Sequence, residues 1–154
     1  MHDTDALFRL PRSRDGKKLM TRWYGESRGQ AEATRWERLI ETTLSSGEAS
    51  EAALISSPGR TELGGNHTDH NEGRVLCAAV HLDALACVIP RDDLAVELYS
   101  EGWDEPFRLD LGDLEPKPAE RGRPEALIRG VASAIARRGG MIGGFSGRMN
   151  SEVP

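Results

Sequence analysis

The sequence is poor in the features of secreted and membrane proteins. Cysteine occurs only at Cys77 and Cys87, both in apolar surroundings, so we expect no disulfide framework but two buried thiols in a cytoplasmic chain. No apolar run approaches the roughly 18 residues that a membrane helix requires. The first residues lack a basic stretch followed by an apolar one, and no secretory signal is predicted.

The sequence also lacks an excess of positive charge. The formal net charge is −5 and the pI is about 5.4, so no global field favours nucleic acid or an anionic membrane, and neither is an expected partner. The first 22 residues are locally basic, but acidic side chains dilute them, which favours a solvated arm over a binding tail. We find no internal repeat and no G-x-x-x-x-G-K-[ST] phosphate loop.

The sequence pattern predicts one α+β domain that follows a polar amino-terminal arm. The length of 154 residues suits one domain, and we assign residues 1–23 to the arm and 24–154 to the domain. Apolar spacing predicts helices over about 30–44 and from 124 to the glycines at 139–140. The predicted order is a helix, several strands, a helix and a strand. This order favours an α+β fold over a fold in which helices and strands alternate regularly. Strands are predicted at 53–57, 75–80, 84–89, 94–98, 107–111 and 145–150.

Residues 57–74 carry the densest chemistry of the chain. Four glycines allow the backbone to turn and to approach a ligand closely. The polar side chains between them both donate and accept hydrogen bonds, which suits a polyhydroxylated ligand. They are Arg60, Glu62, Asn66, His67, Asp69, His70 and Asn71.

Other interpretations of these side chains stay open. Arg60 could pair with a loop carboxylate such as Glu62, and Asp69 could cap a local turn. His67, Asp69 and His70 could ligate a divalent metal, but neighbouring ligands in a glycine-rich loop converge poorly, and we predict no metal site. His70 and Asn71 are assigned structural roles.

This stretch resembles the sugar-binding signature of galactokinases, members of the GHMP small-molecule kinases that also include homoserine, mevalonate and phosphomevalonate kinases. The residues in register are Pro58-Gly59-Arg60, Leu63, Gly65, His67-Thr68-Asp69, Asn71 and Gly73-Arg74-Val75-Leu76. The departures are Thr61-Glu62, Gly64, Asn66 and His70. Asn66 matters most, because the family has a glutamate there that holds a sugar hydroxyl. The resemblance extends over roughly residues 24–154.

The resemblance implies a fold, an activity and a site. The fold would be a mixed, largely antiparallel sheet with helices mainly on one face, as in the amino-terminal domain of GHMP kinases. The activity would be ATP-dependent phosphorylation of galactose at its anomeric hydroxyl, with Mg²⁺ as metal cofactor. Arg60 would be catalytic, and Asn66, His67 and Asp69 would bind the sugar.

The resemblance also implies that this chain is only the first part of a kinase. In the family, a glycine- and serine-rich phosphate loop follows the place where this sequence reads Ser151-Glu152-Val153-Pro154. We therefore expect no nucleotide-binding residue here, no turnover by the chain alone, and exposed apolar surface near 75–80 and 145–153. The alternatives are a non-catalytic sugar-binding or regulatory module and a kinase of a related sugar, such as an amino sugar.

Overall fold

The computed structural model describes residues 2–45, 49–65 and 72–153. In these ranges four α-helices and six β-strands alternate irregularly along the chain. A 3₁₀ turn, Pro118–Glu120, precedes the last helix. The elements are β1 (His2–Asp3), α1 (Thr4–Arg9), α2 (Arg14–Tyr24), α3 (Gly29–Thr43), β2 (Glu51–Gly64), β3 (Leu76–Pro90), β4 (Ala95–Ser100), β5 (Phe107–Asp110), α4 (Pro124–Arg137) and β6 (Phe145–Ser151).

The strands of the described residues form one mixed sheet in the order β1-β2-β3-β6-β4-β5. Every neighbouring pair is antiparallel except β4 and β6, which run parallel. β5 and α4 supply the crossover that a parallel pair requires. The predicted α+β fold with a mixed, largely antiparallel sheet is therefore confirmed.

The helices cover the two faces of the sheet unequally. Leu85 and Cys87 of β3 belong to a core shared with α1, α2 and α3. Val96 and Leu98 of β4 belong to a second core with β5 and α4. Strand alternation places Leu85 and Cys87 beside Arg148 and Asn150, whereas Val96 and Leu98 share the opposite face with Phe145 and Met149. Three helices thus lie on one face, as predicted, and α4 lies on the other.

The amino-terminal segment, which was expected to be a polar, solvated arm, forms the two helices α1 and α2. Asp3 Oδ1 accepts a hydrogen bond from Asp5 N at 2.8 Å, and Ser13 Oγ accepts one from Gly16 N at 2.9 Å, which caps α1 and α2. Leu7, Met20 and Tyr24 are buried in the first core. Sequence reasoning gave weight to the charges and too little to the capping residues that begin each helix. The division into domains at residue 23 stays a prediction.

The strands around the predicted ligand-binding stretch are longer than the sequence suggested. The two strands predicted at 75–80 and 84–89 are one strand, β3, and β2 continues through Arg60 to Gly64. Leu76 is 64% exposed, so the first part of β3 lies in the region where exposed apolar surface was expected. The polar residues at 81 and 83 suggested a break between two strands. The strand continues through Asp83 because this buried carboxylate accepts hydrogen bonds from Tyr24 and Ser56.

Candidate functional site

Arg60 lies on β2 at an irregularity of the β2–β3 ladder. Pro58 pairs with Asp83 and Arg60 with Ala79, so β3 contributes two extra residues between these pairs. The Arg60 side chain is exposed. Within the described residues it makes no hydrogen bond or ion pair, and the proposed pairing with Glu62 is not formed. Its guanidinium is available to a ligand, which favours a functional role over a structural one.

The predicted sugar ligands fall on the connection between β2 and β3. Asn66, His67 and Asp69, like His70 and Asn71, lie outside the described residues. The β2–β3 ladder ends at the pair Gly64–Leu76, which is the part of this connection that the structure describes. Arg60 lies four residues before that pair on the same strand.

The backbone on both sides of this loop is unusual. Gly65 has a φ of 113°, and a Cβ placed there would meet Arg74 O at 2.6 Å. Glu72, at the other end, has a φ of 62°. Glycine is needed at 65 because the two ends of the loop approach each other closely there. A glycine in this place was one of the residues shared with the galactokinase signature.

A buried polar cluster, which the sequence did not reveal, lies beside the start of this ladder. Asp83 is 2% exposed. Its carboxylate accepts hydrogen bonds from Tyr24 Oη at 2.6 Å and from Ser56 and Arg35. Trp36 Nε1 in turn donates to Tyr24 Oη at 3.2 Å. One feature of the sequence could have indicated this cluster. Asp83 lies two and four residues before Leu85 and Cys87, so strand alternation places its carboxylate on the same buried face.

The contacts in the cluster shift the pKa values of Asp83 and Tyr24. Burial alone would raise the pKa of Asp83, but hydrogen bonds from Ser56, Tyr24 and Arg35 together lower it below its usual range. Burial, and then the hydrogen bond to Asp83, raise the pKa of Tyr24. Asp83 is therefore held as a carboxylate and Tyr24 as a neutral phenol.

The cluster also joins α3 to the chain after β6. Arg28 pairs with Glu32 at 2.6 Å and with Glu152. Glu152 N donates to the Asp83 carbonyl at 3.0 Å. Helices α2 and α3, strands β2 and β3 and residue 152 thus meet at one charged centre, directly before the stretch that carries Arg60.

A cleft of about 490 Å³ opens over this cluster. It is lined by the end of α2, including Trp23 and Tyr24, and by Ser56, His81 and Asp83. Because Asp83 is already saturated by three donors, the cleft offers few free polar groups to a ligand. We assign it a structural role beside the candidate site.

The described residues contain no group of three or more His, Cys, Asp or Glu side chains arranged to hold an ion. Helices α2 and α4 begin at Ser13-Arg14 and Arg123-Pro124, without the glycine-rich loop that exposes backbone amides to phosphates. The same ranges contain no helix long and apolar enough to cross a bilayer.

Comparison with known proteins places these features in a family context. A family model, the galactokinase galactose-binding signature, matches residues 45–90. These residues include Arg60 and the whole β2–β3 loop. The match therefore coincides with the stretch that sequence reasoning singled out.

Solved structures share the fold. Lactococcus lactis galactokinase, crystallised with galactose, is 31% identical, with a TM-score of 0.62 over 70% of this chain and 28% of that one. Methanococcus jannaschii mevalonate kinase and a second mevalonate kinase are 14% identical, with TM-scores of 0.52 and 0.51. They cover 68% and 66% of this chain and 33% of each kinase. At that identity they show the fold alone.

The sequence therefore spans about a third or less of the length of these kinases. The resemblance inferred from residues 57–74 is confirmed by a sequence signature and by a solved structure with the same fold. This chain is related to the galactokinases and carries their galactose-binding signature on the GHMP-kinase fold.

Proposed function

We propose that this chain is the sugar-binding part of a galactokinase. The complete protein would transfer a phosphoryl group from ATP to the anomeric hydroxyl of galactose and would act in the cytoplasm. The observation that carries the proposal is the galactose-binding signature over 45–90, which contains an exposed arginine without a structural partner in the described residues.

The signature residues have distinct roles in this proposal. Asp69, His67 and Asn66 hold the sugar hydroxyls, since a carboxylate, an imidazole and an amide together both donate and accept. Arg60 stabilises the negative charge on the transferring phosphoryl group near the acceptor hydroxyl. ATP and Mg²⁺ are cofactors of the complete protein; no described residue of this chain is assigned to them.

The proposal is tested first by sugar binding. Calorimetric titration of the chain with galactose should give weak saturable binding, which Asp69→Ala abolishes. Glucose serves as the ligand control, and Asp104→Ala, in the exposed turn after β4, serves as the protein control. Binding that survives Asp69→Ala, or no binding to any hexose, would contradict the proposed site.

A related sugar is the second candidate, and Asn66 is the observation that favours it. An amide adds two donors where a glutamate only accepts, so the site should prefer a different pattern of sugar substituents. In the complete protein, Asn66→Glu is expected to change the ratio of kcat/KM values for galactose and galactosamine by about tenfold or more. Asn66→Ala should weaken both. An unchanged ratio for both variants across a sugar panel would remove Asn66 from the site.

A further inference from the structure

A second cleft, of about 430 Å³, lies on the face of the sheet that α3 covers. We call it the α3–β4 cleft. One side is a face of α3 with Arg35 and Arg38, and the other is formed by the ends of β4 and β6 with Tyr99, Trp103, Arg148 and Asn150. Strands β3 and β6 separate β4 from β2, the strand that carries Arg60.

Positive charge in this cleft is not fully neutralised by the protein. Three guanidinium groups line it, and that of Arg35 is paired with Asp83 and Glu32. The other two share the cleft with a single carboxylate, that of Glu101. Within the described part of the chain, neither Arg38 nor Arg148 forms an ion pair or donates a side-chain hydrogen bond. The Arg148 guanidinium lies 4.6 Å from the centroid of the Tyr99 ring, a cation–π contact that holds it in place over β4.

We propose that the α3–β4 cleft binds the phosphate monoester of a small organic molecule. The phosphate anion balances the excess positive charge that Arg38 and Arg148 leave against Glu101. The planar forks of Arg38 and Arg148 suit phosphate oxygens. The Trp103 side chain, which is 61% exposed, provides a flat surface for the rest of the molecule.

The test is calorimetric titration of the 154-residue chain with a hexose phosphate, a nucleoside monophosphate and inorganic phosphate. The first two share the proposed chemistry, and comparison between them identifies the organic group. Arg148→Gln and Arg38→Gln should each weaken binding about tenfold, as expected for the loss of a charge-assisted hydrogen bond. Glu101→Gln should strengthen it about threefold, because it removes the only carboxylate that lines the cleft.

Arg9→Gln is the matched control, since Arg9 is an exposed arginine of α1 outside the cleft. It should leave the affinity unchanged. On binding, amide chemical shifts should change at α3 and at the end of β4 rather than at residues 57–74. No binding by either phosphate monoester, affinities insensitive to Arg38 and Arg148, or equal binding of inorganic phosphate would each overturn the proposal. None of these results depends on galactose binding.

Discussion

At the scale of single residues, two charged groups on neighbouring strands have opposite environments. Arg60 is exposed and without a partner in the described residues, whereas Asp83, opposite Pro58, is buried among three donors. Sequence reasoning identified Arg60 because its motif is local. It missed Asp83 because the donors Tyr24, Arg35 and Ser56 come from three different elements, and only the fold brings them together.

Replacing Arg60 tests its catalytic role. In the complete protein, Arg60→Gln is expected to lower kcat for galactose at least 100-fold, since one preorganised donor to a developing charge is worth about that much. KM should change much less. A coupled assay for ADP release measures both constants. Arg138→Gln, at the end of α4, is the exposed-arginine control; equal kcat in both variants would assign Arg60 no catalytic role.

Replacing Asp83 tests the buried cluster. Asp83→Asn should lower the free energy of unfolding by about 3 kcal/mol, because Arg35 is left with a weaker buried partner. Urea titrations of this variant and of Asp104→Asn, an exposed control, measure the difference. A change below 1 kcal/mol at pH 7 would mean that the cluster contributes little.

The same residue predicts a pH dependence with a definite sign. The folded-state pKa of Asp83 is lowered, so its stabilisation is complete above the unfolded value of about 3.9 and is lost as the pH falls through the folded value. The unfolding free energy of the wild-type chain should therefore fall more steeply below pH 4 than that of Asp83→Asn. Parallel curves from pH 6 to pH 2 would contradict this assignment.

At the scale of elements, the sequence predicted those with strong periodicity. α3 and α4 begin and end within one or two residues of the predicted bounds, because each has an apolar face and α4 also has a proline start. It failed for α1, which is too short to show a period, and for α2, where many charged residues surround the few apolar ones. It also failed for β3, where polar residues interrupt the apolar run. In all three, tertiary burial supplies the stability that local pattern does not reveal.

Two glycines within helices give a matched test of packing. A Cβ at Gly16 of α2 would lie 1.7 Å from Leu10 O, whereas a Cβ at Gly130 of α4 meets nothing within 4 Å. Gly16→Ala should therefore destabilise the chain by about 2 kcal/mol or more. Gly130→Ala should stabilise it by up to about 1 kcal/mol, through helix propensity alone.

Thermal unfolding of the two alanine variants measures both effects with one substitution. Opposite shifts in Tm are expected. Two shifts of the same sign would show that α2 does not approach Leu10 as described, or that α4 gains nothing from propensity.

At the scale of the whole molecule, exposed apolar side chains occur where they were expected and also where they were not. Leu76 and Val153 are exposed in the regions where exposed apolar surface was expected. A second surface was not foreseen: Leu127, Val131 and Ile135 recur every four residues along the outside of α4, and Leu127 is 72% exposed. The sequence showed this periodicity, but periodicity alone does not state whether an apolar face is covered.

The whole chain is expected to lack kinase activity when tested alone. Phosphoryl transfer requires aligned phosphates, metal and acceptor, and the residues that match the galactokinase signature would supply only the acceptor side. A coupled assay with galactose and Mg-ATP should give no ADP release above background, with Lactococcus lactis galactokinase as the positive control. Turnover that Asp69→Ala abolishes would contradict this expectation and would require a phosphate site within these 154 residues.

The place of β6 in the sheet has a consequence for how the chain reaches its fold during synthesis. β6 is the last of the described strands to leave the ribosome, yet it lies between β3 and β4 and is the only strand that pairs with both. Until residues 145–151 emerge, the nascent chain holds a β2–β3 hairpin and a β4–β5 hairpin with no pairing between them. The rate-limiting step of folding should therefore be the insertion of β6, because its pairing with β3 joins residues that are about 60 positions apart in the sequence. A translational pause before residue 145 would leave two unpaired strand edges open to neighbouring nascent chains.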